Sequence, residues 1–460
     1  MKNKCLFAVV ASLMFSNLVY AQRTLSIEEC RDFAIENNKS LRIATEQERV
    51  AYYQKKEAFS KYLPSFSAMG AYVRLEDKFN LLPQSITTPP IGTIPPIEIP
   101  IPEGLGEIDL RNIYIGNLSL TQPLFMGGRI VAYNDIRKNA ELLAKEQKDS
   151  KLQEVISEID AAYWQVVSLS WKEGLASSYT DLLEKMESDV KIMNEEGVAT
   201  KADVLTVSVK LNEAEMALTK VRNGLSLSRM LLNQLCGLDI NEPVKLVDEN
   251  NELIQSETEE NSLPDIENAV SNRSEVKSLE LATKIYKGQE RLALAEFLPQ
   301  AGLMLGYTWT NPNMNHGFEK KFHGGWNIAV SVKIPFNFGM APNLNAAKAT
   351  TNISRLQLED AKQKIELQIN QSTYKLTEAY KNLKSSEKNL DRADENLRYA
   401  KVGFEEGVIS ASDVLGAHTA WLEAHSQVID SRIDVKLSRV YLDKALGRSL
   451  YDENKKEEEK

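Results

Sequence analysis

Two short segments of this 460-residue chain hold the residue types best suited to chemistry, and they are near copies. Glu195-Glu196-Gly197-Val198-Ala199-Thr200-Lys201-Ala202-Asp203-Val204-Leu205 recurs as Glu405-Glu406-Gly407-Val408-Ile409-Ser410-Ala411-Ser412-Asp413-Val414-Leu415, identical at seven of eleven positions. Each copy has a glycine suited to a tight reversal, then an aspartate at the expected start of a returning helix, Asp203 and Asp413. The helix dipole favours an acid there regardless of function. His418 and His425 are seven residues apart beside Trp421. Two histidines reach one metal ion most readily at i, i+4, so these read as separate residues on a helix surface. His316 and His323 fall in the segment Asn311 to His323, read as a solvated loop. No GxGxxG, P-loop, GxSxG or HExxH pattern is present. No enzyme activity, cofactor or metal is expected.

The charge balance limits the partners. With 55 Lys+Arg against 65 Asp+Glu the net charge is −10, the wrong sign for neutralising nucleic-acid phosphates. At 43 % hydrophobic and 26 % charged the chain has the composition of a folded protein rather than a disordered one. It lacks the repeated apolar runs of about 20 residues that a polytopic helical membrane protein needs. The N-terminus reads as a leader over residues 1–21: Lys2 and Lys4, an apolar stretch from Leu6 to Val19, and the small-x-small site Val19-Tyr20-Ala21. The mature chain would start at Gln22. Cys5 precedes the apolar stretch, so it is not a lipidation site. Of the three cysteines, Cys30 and Cys236 then remain, read as isolated, half-buried thiols on separate helices; pairing stays open in an oxidising compartment.

The elements that position the two turns are themselves duplicated. Leu227-Ser228-Arg229 and Leu437-Ser438-Arg439 share the turns' offset of 210 residues, as do Gly237 and Gly447. Pro123 to Gly127 matches Pro335 to Gly339 at an offset of 212, and Leu63-Pro64 matches Leu298-Pro299 at 235. The first copy therefore holds 23 extra residues, which fall in the proline-rich stretch Leu82 to Gly106. The organisation is a first repeat at 22–237, an acidic linker at 238–272, a second repeat at 273–450 and a charged tail at 451–460. Each repeat reads helix, strand, loop, strand, long helix, turn, helix.

Strands are expected at 65–75 and 111–121, joined by an extended loop over 76–110, and at 301–310 and 325–334. Alternation is clearest where Trp326, Ile328, Val330, Val332 and Ile334 oppose Asn327, Ala329, Ser331 and Lys333. About ten residues is the length that crosses a bilayer in a tilted β-barrel strand. The helices carry a 4-3 spacing through Ile369, Leu376, Leu383, Leu390, Leu397 and Phe404, resuming at Val414, Ala417, Trp421, Ala424 and Val428. That is coiled-coil periodicity with small seam residues. At 1.5 Å per residue a helix over 129–195 is roughly 100 Å long, and helices over 200–236 and 273–297 are about 55 and 40 Å. The shorter two are expected to stack end to end against the longer, with the linker bulging at the junction. Four amphipathic strands cannot close a barrel, whose smallest members have about eight, and open edges in lipid leave backbone groups unpaired. The chain must oligomerise for its strands to enclose a pore; three copies would supply twelve.

Taken together, Leu63-Pro64 and Leu298-Pro299 before the strands, Pro123 to Gly127 and Pro335 to Gly339 after them, and the paired Gly-to-Asp-Val-Leu turns resemble the TolC-like outer-membrane channel family. The resemblance runs from about Leu25 to Leu450. It implies a mainly α fold with β: a homotrimer whose twelve-stranded outer-membrane barrel continues into a periplasmic helical barrel. It also implies docking to a periplasmic adaptor and an inner-membrane transporter of RND, ABC or MFS type. The function implied is passive conduction of drugs or small toxic compounds to the exterior. Type I protein secretion is the nearest alternative, and a non-channel periplasmic coiled-coil protein a more distant one. Pro64, Pro123, Pro299 and Pro335 would mark the barrel-to-helix transitions. Gly197, Val198, Leu205, Gly407, Val408 and Leu415 would form tip turns that meet the adaptor. Threefold symmetry would make Asp203 and Asp413 rings of carboxylates at a periplasmic gate, selecting cations and raising some carboxyl pKa values by crowding. The charged positions of the family's gate fall here on Ile409 and Gly416, so any tether must come from elsewhere, such as Lys201 with a neighbouring acid.

Overall fold

The structure is a computed structural model that describes residues 23–90, 95–102, 104–250, 265–314 and 317–448. The expected leader, the charged tail, His316 and the middle of the acidic linker lie outside the described residues. The first copy runs β1 (Arg23–Leu25), α1 (Ile27–Asn37), α2 (Lys39–Ser60), β2 (Ser65–Arg74), short strands β3 (Phe79–Asn80), β4 (Ser85–Thr87), β5 (Glu98–Pro100) and β6 (Glu107–Ile108), then β7 (Asn112–Met126), α3 (Arg129–Glu195) and α4 (Lys201–Cys236). The second runs from β8 (Val244–Leu246) and a 3-10 turn into α5 (Ile266–Asn272), α6 (Ser274–Ala295), β9 (Gln300–Asn311), β10 (His323–Lys333), α7 (Met340–Glu405) and α8 (Ala411–Ala445). No described helix is long and apolar enough to cross a membrane.

Two compact units result. One comprises Val50–Glu141 and Leu281–Arg355, and the rest of the described chain forms the other. The first holds an antiparallel four-stranded sheet in the order β10-β9-β7-β2, with Ser65 opposite Thr121 and His323 opposite Thr310. Pro64 and Pro299 directly precede β2 and β9, where a residue without an N–H costs no ladder bond. Pro335 follows β10. Pro123 departs from expectation: β7 runs through it to Met126, five residues past the expected end, with a register shift between Pro123 and Phe125. The bulge accommodates the missing donor. His323 likewise opens β10 instead of lying in a loop. The 76–110 segment is not a simple extended loop but a pair of short ladders, β3 with β6 and β4 with β5. Asp109 at its foot accepts from Arg111 and, at 2.6 Å, from Lys320 of the β9–β10 connection.

The second unit is helical, with a core of Val155, Ile159, Tyr163, Val166 and Trp171 from α3 against Leu25, Cys30 and Ala34, Leu225 and Leu232, and Val244 and Leu246. The ladder of β1 with β8 is parallel and pairs Leu25 with Leu246. Each repeat begins with a broken helix. Asn38 separates α1 from α2 and Arg273 separates α5 from α6, both in extended backbone and at the same 235-residue offset as the Leu-Pro pairs. The second repeat therefore starts earlier than 273, with α5. Both breaks do the same work: Asn38 donates to the Leu235 carbonyl at the end of α4, and Arg273 donates to the Lys444 and Ala445 carbonyls at the end of α8. Unpaired C-terminal helix carbonyls thus find donors.

One buried ion pair joins α1 to α3. Arg31 grips Asp160 with two bonds of 2.8 and 2.7 Å, and Asp160 is fully buried. Burial pushes the Asp160 carboxyl up, opposed by the Arg31 guanidinium. Such a pair adds little net stability, yet losing one partner strands the other charge. Arg31→Met is expected to destabilise the protein by about 3–5 kcal/mol in denaturant titration, whereas the paired change Arg31→Met with Asp160→Leu recovers most of the loss.

Candidate functional site

Two features of this fold bear on function: the faces of the sheet and the helix-to-helix turns. Register decides the faces. Ile328, Leu305, Leu120 and Phe66 form one row across the four strands, and Trp326, Tyr307, Leu118 and Ala68 the next. Most of these side chains are exposed, Trp326 at 76 %. The next row is Gly324, Trp309, Gly116 and Gly70; a Cβ on Gly116 would sit 2.0 Å from the Trp309 ring, so the indole lies across bare backbone. The opposite face is mostly small and polar: Asn327, Gly306, Ser119 and Ser67 in one row, Thr308 and Asn117 in another, interrupted by Met304 and Met69 and, towards one end, by Ile113, Ile115 and Val73. Asn117 donates to Thr308 at 2.7 Å, and Ser67 and Ser119 share a 2.7 Å bond. An exposed apolar face backed by a wet polar one is the pattern of a sheet between lipid and water. Among the described residues, strands β2 and β10 lie at the two edges of the sheet, each with one side unpaired by another strand.

The turns repeat one another's backbone hydrogen bonds. Gly197 and Gly407 take φ of 79° and 72°, which a side chain would strain. Val198 N–H reaches the Met193 carbonyl at 2.8 Å, and Val408 N–H reaches that of Gly403 at 2.7 Å. Thr200 then caps α4 and Ser410 caps α8, each in a reciprocal box with the aspartate three residues on. Asp203 accepts from Thr200 N–H at 2.9 Å and its hydroxyl at 2.6 Å; Asp413 accepts from Ser410 N–H at 3.2 Å and its hydroxyl at 2.7 Å. The Thr200 hydroxyl, then its N–H, hold the Asp203 carboxyl below its ordinary range, opposite to the crowding expected of a ring. None of the ion pairs among the described residues involves Lys201.

Val198 and Val408 project at 72 % and 78 % exposure, and Leu205 is exposed as well. Leu415 does not belong with them. It is 3 % exposed and packs with Leu183, Met186, Val207, Leu397 and Val414. The 4-3 spacing identified only one seam of α8, through Val414, Ala417 and Val428; a second buried stripe follows Leu415, His418, Ile429 and Ile433. His418 is accordingly buried, at 4 % exposure, beside the Tyr179 ring rather than on the surface. Burial first, and Lys401 second, push it down to about 4. His425 meets Trp421 in a tilted ring contact, and the Trp421 indole N–H donates to Asp394. No metal-holding cluster of His, Cys, Asp and Glu occurs among the described residues.

The model of a protein family described as outer membrane efflux protein matches residues 31–238 and 266–448. No curated protein sequence matches. Among solved structures, the CmeC outer membrane channel of Campylobacter jejuni superposes with a TM-score of 0.76 at 16 % identity, over 94 % of this chain and 88 % of that one. The VceC outer membrane protein of Vibrio cholerae gives 0.73 at 14 %, over 92 % and 97 %. The open-state MtrE outer membrane channel of Neisseria gonorrhoeae gives 0.73 at 18 %, over 92 % and 89 %. At these identities the likeness is one of fold.

Neutral in the fold but protonated in the unfolded chain below its usual 6.5, His418 makes the helix pairs beside the turns weaken as pH falls. Thermal unfolding of the wild type should shift downward between pH 6.5 and about 4. A His418→Phe variant should lose that part of the shift.

Proposed function

The chain belongs to the outer membrane efflux protein family, and we propose that three copies together build the exit duct of a tripartite pump. It acts in efflux at the outer membrane. The observation that carries the trimer is the sheet: four strands, an apolar and a polar face, and a free edge at both β2 and β10. Neither edge is tolerable in hydrocarbon, where each unpaired backbone group costs several kcal/mol. Pairing β10 of one copy with β2 of the next removes both, and twelve strands close a barrel with Trp326 and Ile328 towards lipid and Ser67, Asn117 and Thr308 towards water.

In this reading residues 1–21 direct export and are removed. The helical unit stands in the periplasm, where the turns at Gly197 and Gly407 meet a periplasmic adaptor that links the duct to an inner-membrane transporter. Val198, Leu205 and Val408 are the contact side chains, being apolar and exposed. The duct has no reaction to perform; a small toxic compound passes down a gradient maintained by the transporter. Asp203 and Asp413 shape their turns first, and their charge, repeated around the threefold axis, gives the narrow end a preference for cations.

Bilayer conductance tests duct and gate separately. The purified protein should give stable channels that prefer cations. Glutamine at the third helical position preserves a capping box while removing the charge, so Asp203→Gln with Asp413→Gln should fold normally and lose the preference. Unchanged selectivity would remove the gate assignment and leave the duct; absence of any conductance from either protein would remove the duct.

A further inference from the structure

Cys30 and Cys236 are 206 residues apart in sequence and adjacent in the fold. Cys30 lies on α1 and Cys236 ends α4; both are fully buried. The Cys236 thiol points at the Cys30 carbonyl, Sγ to O 3.6 Å, and both thiols are free and buried. The expectation of isolated, half-buried thiols is therefore wrong on both counts. Contacts on either side hold the pair in register. The β1–β8 ladder lies on one flank, and the Asn38 bond to the Leu235 carbonyl at 2.9 Å on the other. The backbones are so close that a Cβ on Gly237 would sit 2.6 Å from that of Asn37. Cys30 also falls one residue outside the segments matched by the family model, so the pair is not part of what that match describes.

We propose that Cys30 and Cys236 are a modification site, joined by a disulfide as the exported chain folds, with an oxidised dithiol protein of the cell envelope as the oxidant. This rests on the proposed export, because such bonds form and persist in oxidising compartments. The thiolate of one cysteine attacks the donor's disulfide, giving a mixed disulfide and releasing one donor thiolate. The thiolate of the other then attacks the mixed disulfide at the first cysteine's sulfur, forming the Cys30–Cys236 bond and expelling the second donor thiolate. Two electrons pass to the donor, and the two protons leave the cysteines. Neither sulfur is exposed once the helices have closed, and its neighbour and burial push the Cys30 thiol up, so exchange precedes the docking of α1 onto α4. The bond closes a loop spanning 206 positions and ties down an N-terminal segment otherwise anchored by a three-residue ladder, the Arg31–Asp160 pair and the core packing of Leu25 and Ala34. Closing a loop of that size restricts the unfolded chain strongly.

The test is peptide mapping of the protein taken from the outer-membrane fraction, with free thiols alkylated at lysis and trypsin applied without reductant. Residues 24–31 and 230–245 each form one tryptic peptide, and each holds one of the two cysteines. The expected result is a linked pair lighter by two hydrogens than the two free peptides, split by reductant. Recovery of both peptides singly alkylated from membrane-located protein overturns the disulfide and leaves the duct reading standing. Recovery of the protein only from the cytosolic fraction overturns the export reading, and the disulfide with it. As a second measurement, reductant should lower the thermal midpoint of the wild type to that of Cys30→Ala with Cys236→Ala, and leave the variant unmoved. A wild-type midpoint insensitive to reductant under conditions that expose the core counts against the bond.

Discussion

A β-sheet can be wetted on one face and oiled on the other only if its edges are closed. Here, among the described residues, β2 and β10 each pair with a neighbouring strand on one side only, while Trp326, Ile328 and Phe66 present an exposed apolar surface. In water the edge would be satisfied and the apolar face would not; in lipid the reverse holds. Edge-to-edge addition of further strands, as proposed above, meets both demands. The twofold repeat supplies those strands in the right arithmetic, since each copy contributes a hairpin and the two pair through β7 and β9.

Duplication also explains the helical unit. Because both copies run through one long helix and return through a shorter one, each needs a reversal and a cap, and the two solutions share their backbone and capping bonds at Gly197 and Thr200 and at Gly407 and Ser410. The same economy operates at the other ends of the returning helices, where Asn38 and Arg273 donate to the last carbonyls of α4 and α8. Different side chains thus serve one purpose, which is why the correspondence was invisible in residue identity.

What could be read from the chain followed its periodicities. The β alternation located the strands, and the repeated Gly-to-Asp segment located both turns. Readings that failed involved contacts with no sequence signal. Leu415 and His418 are buried because α8 packs on two sides, and a single 4-3 seam describes only one. The strand expected over 111–121 runs on to Met126 because a register shift beside Pro123 lets β7 continue. Cys30 and Cys236 meet across the whole first repeat, with nothing local to announce it. Asp203 and Asp413 were the most visible candidates for chemistry, and their carboxylates are first of all caps.

The most direct test of the account is the mass of the intact protein released from membranes in mild detergent, measured by native mass spectrometry. Closure of the sheet edges by identical neighbours predicts a particle of three chains that survives dilution. A single chain, stable in detergent and in native membranes alike, would contradict it.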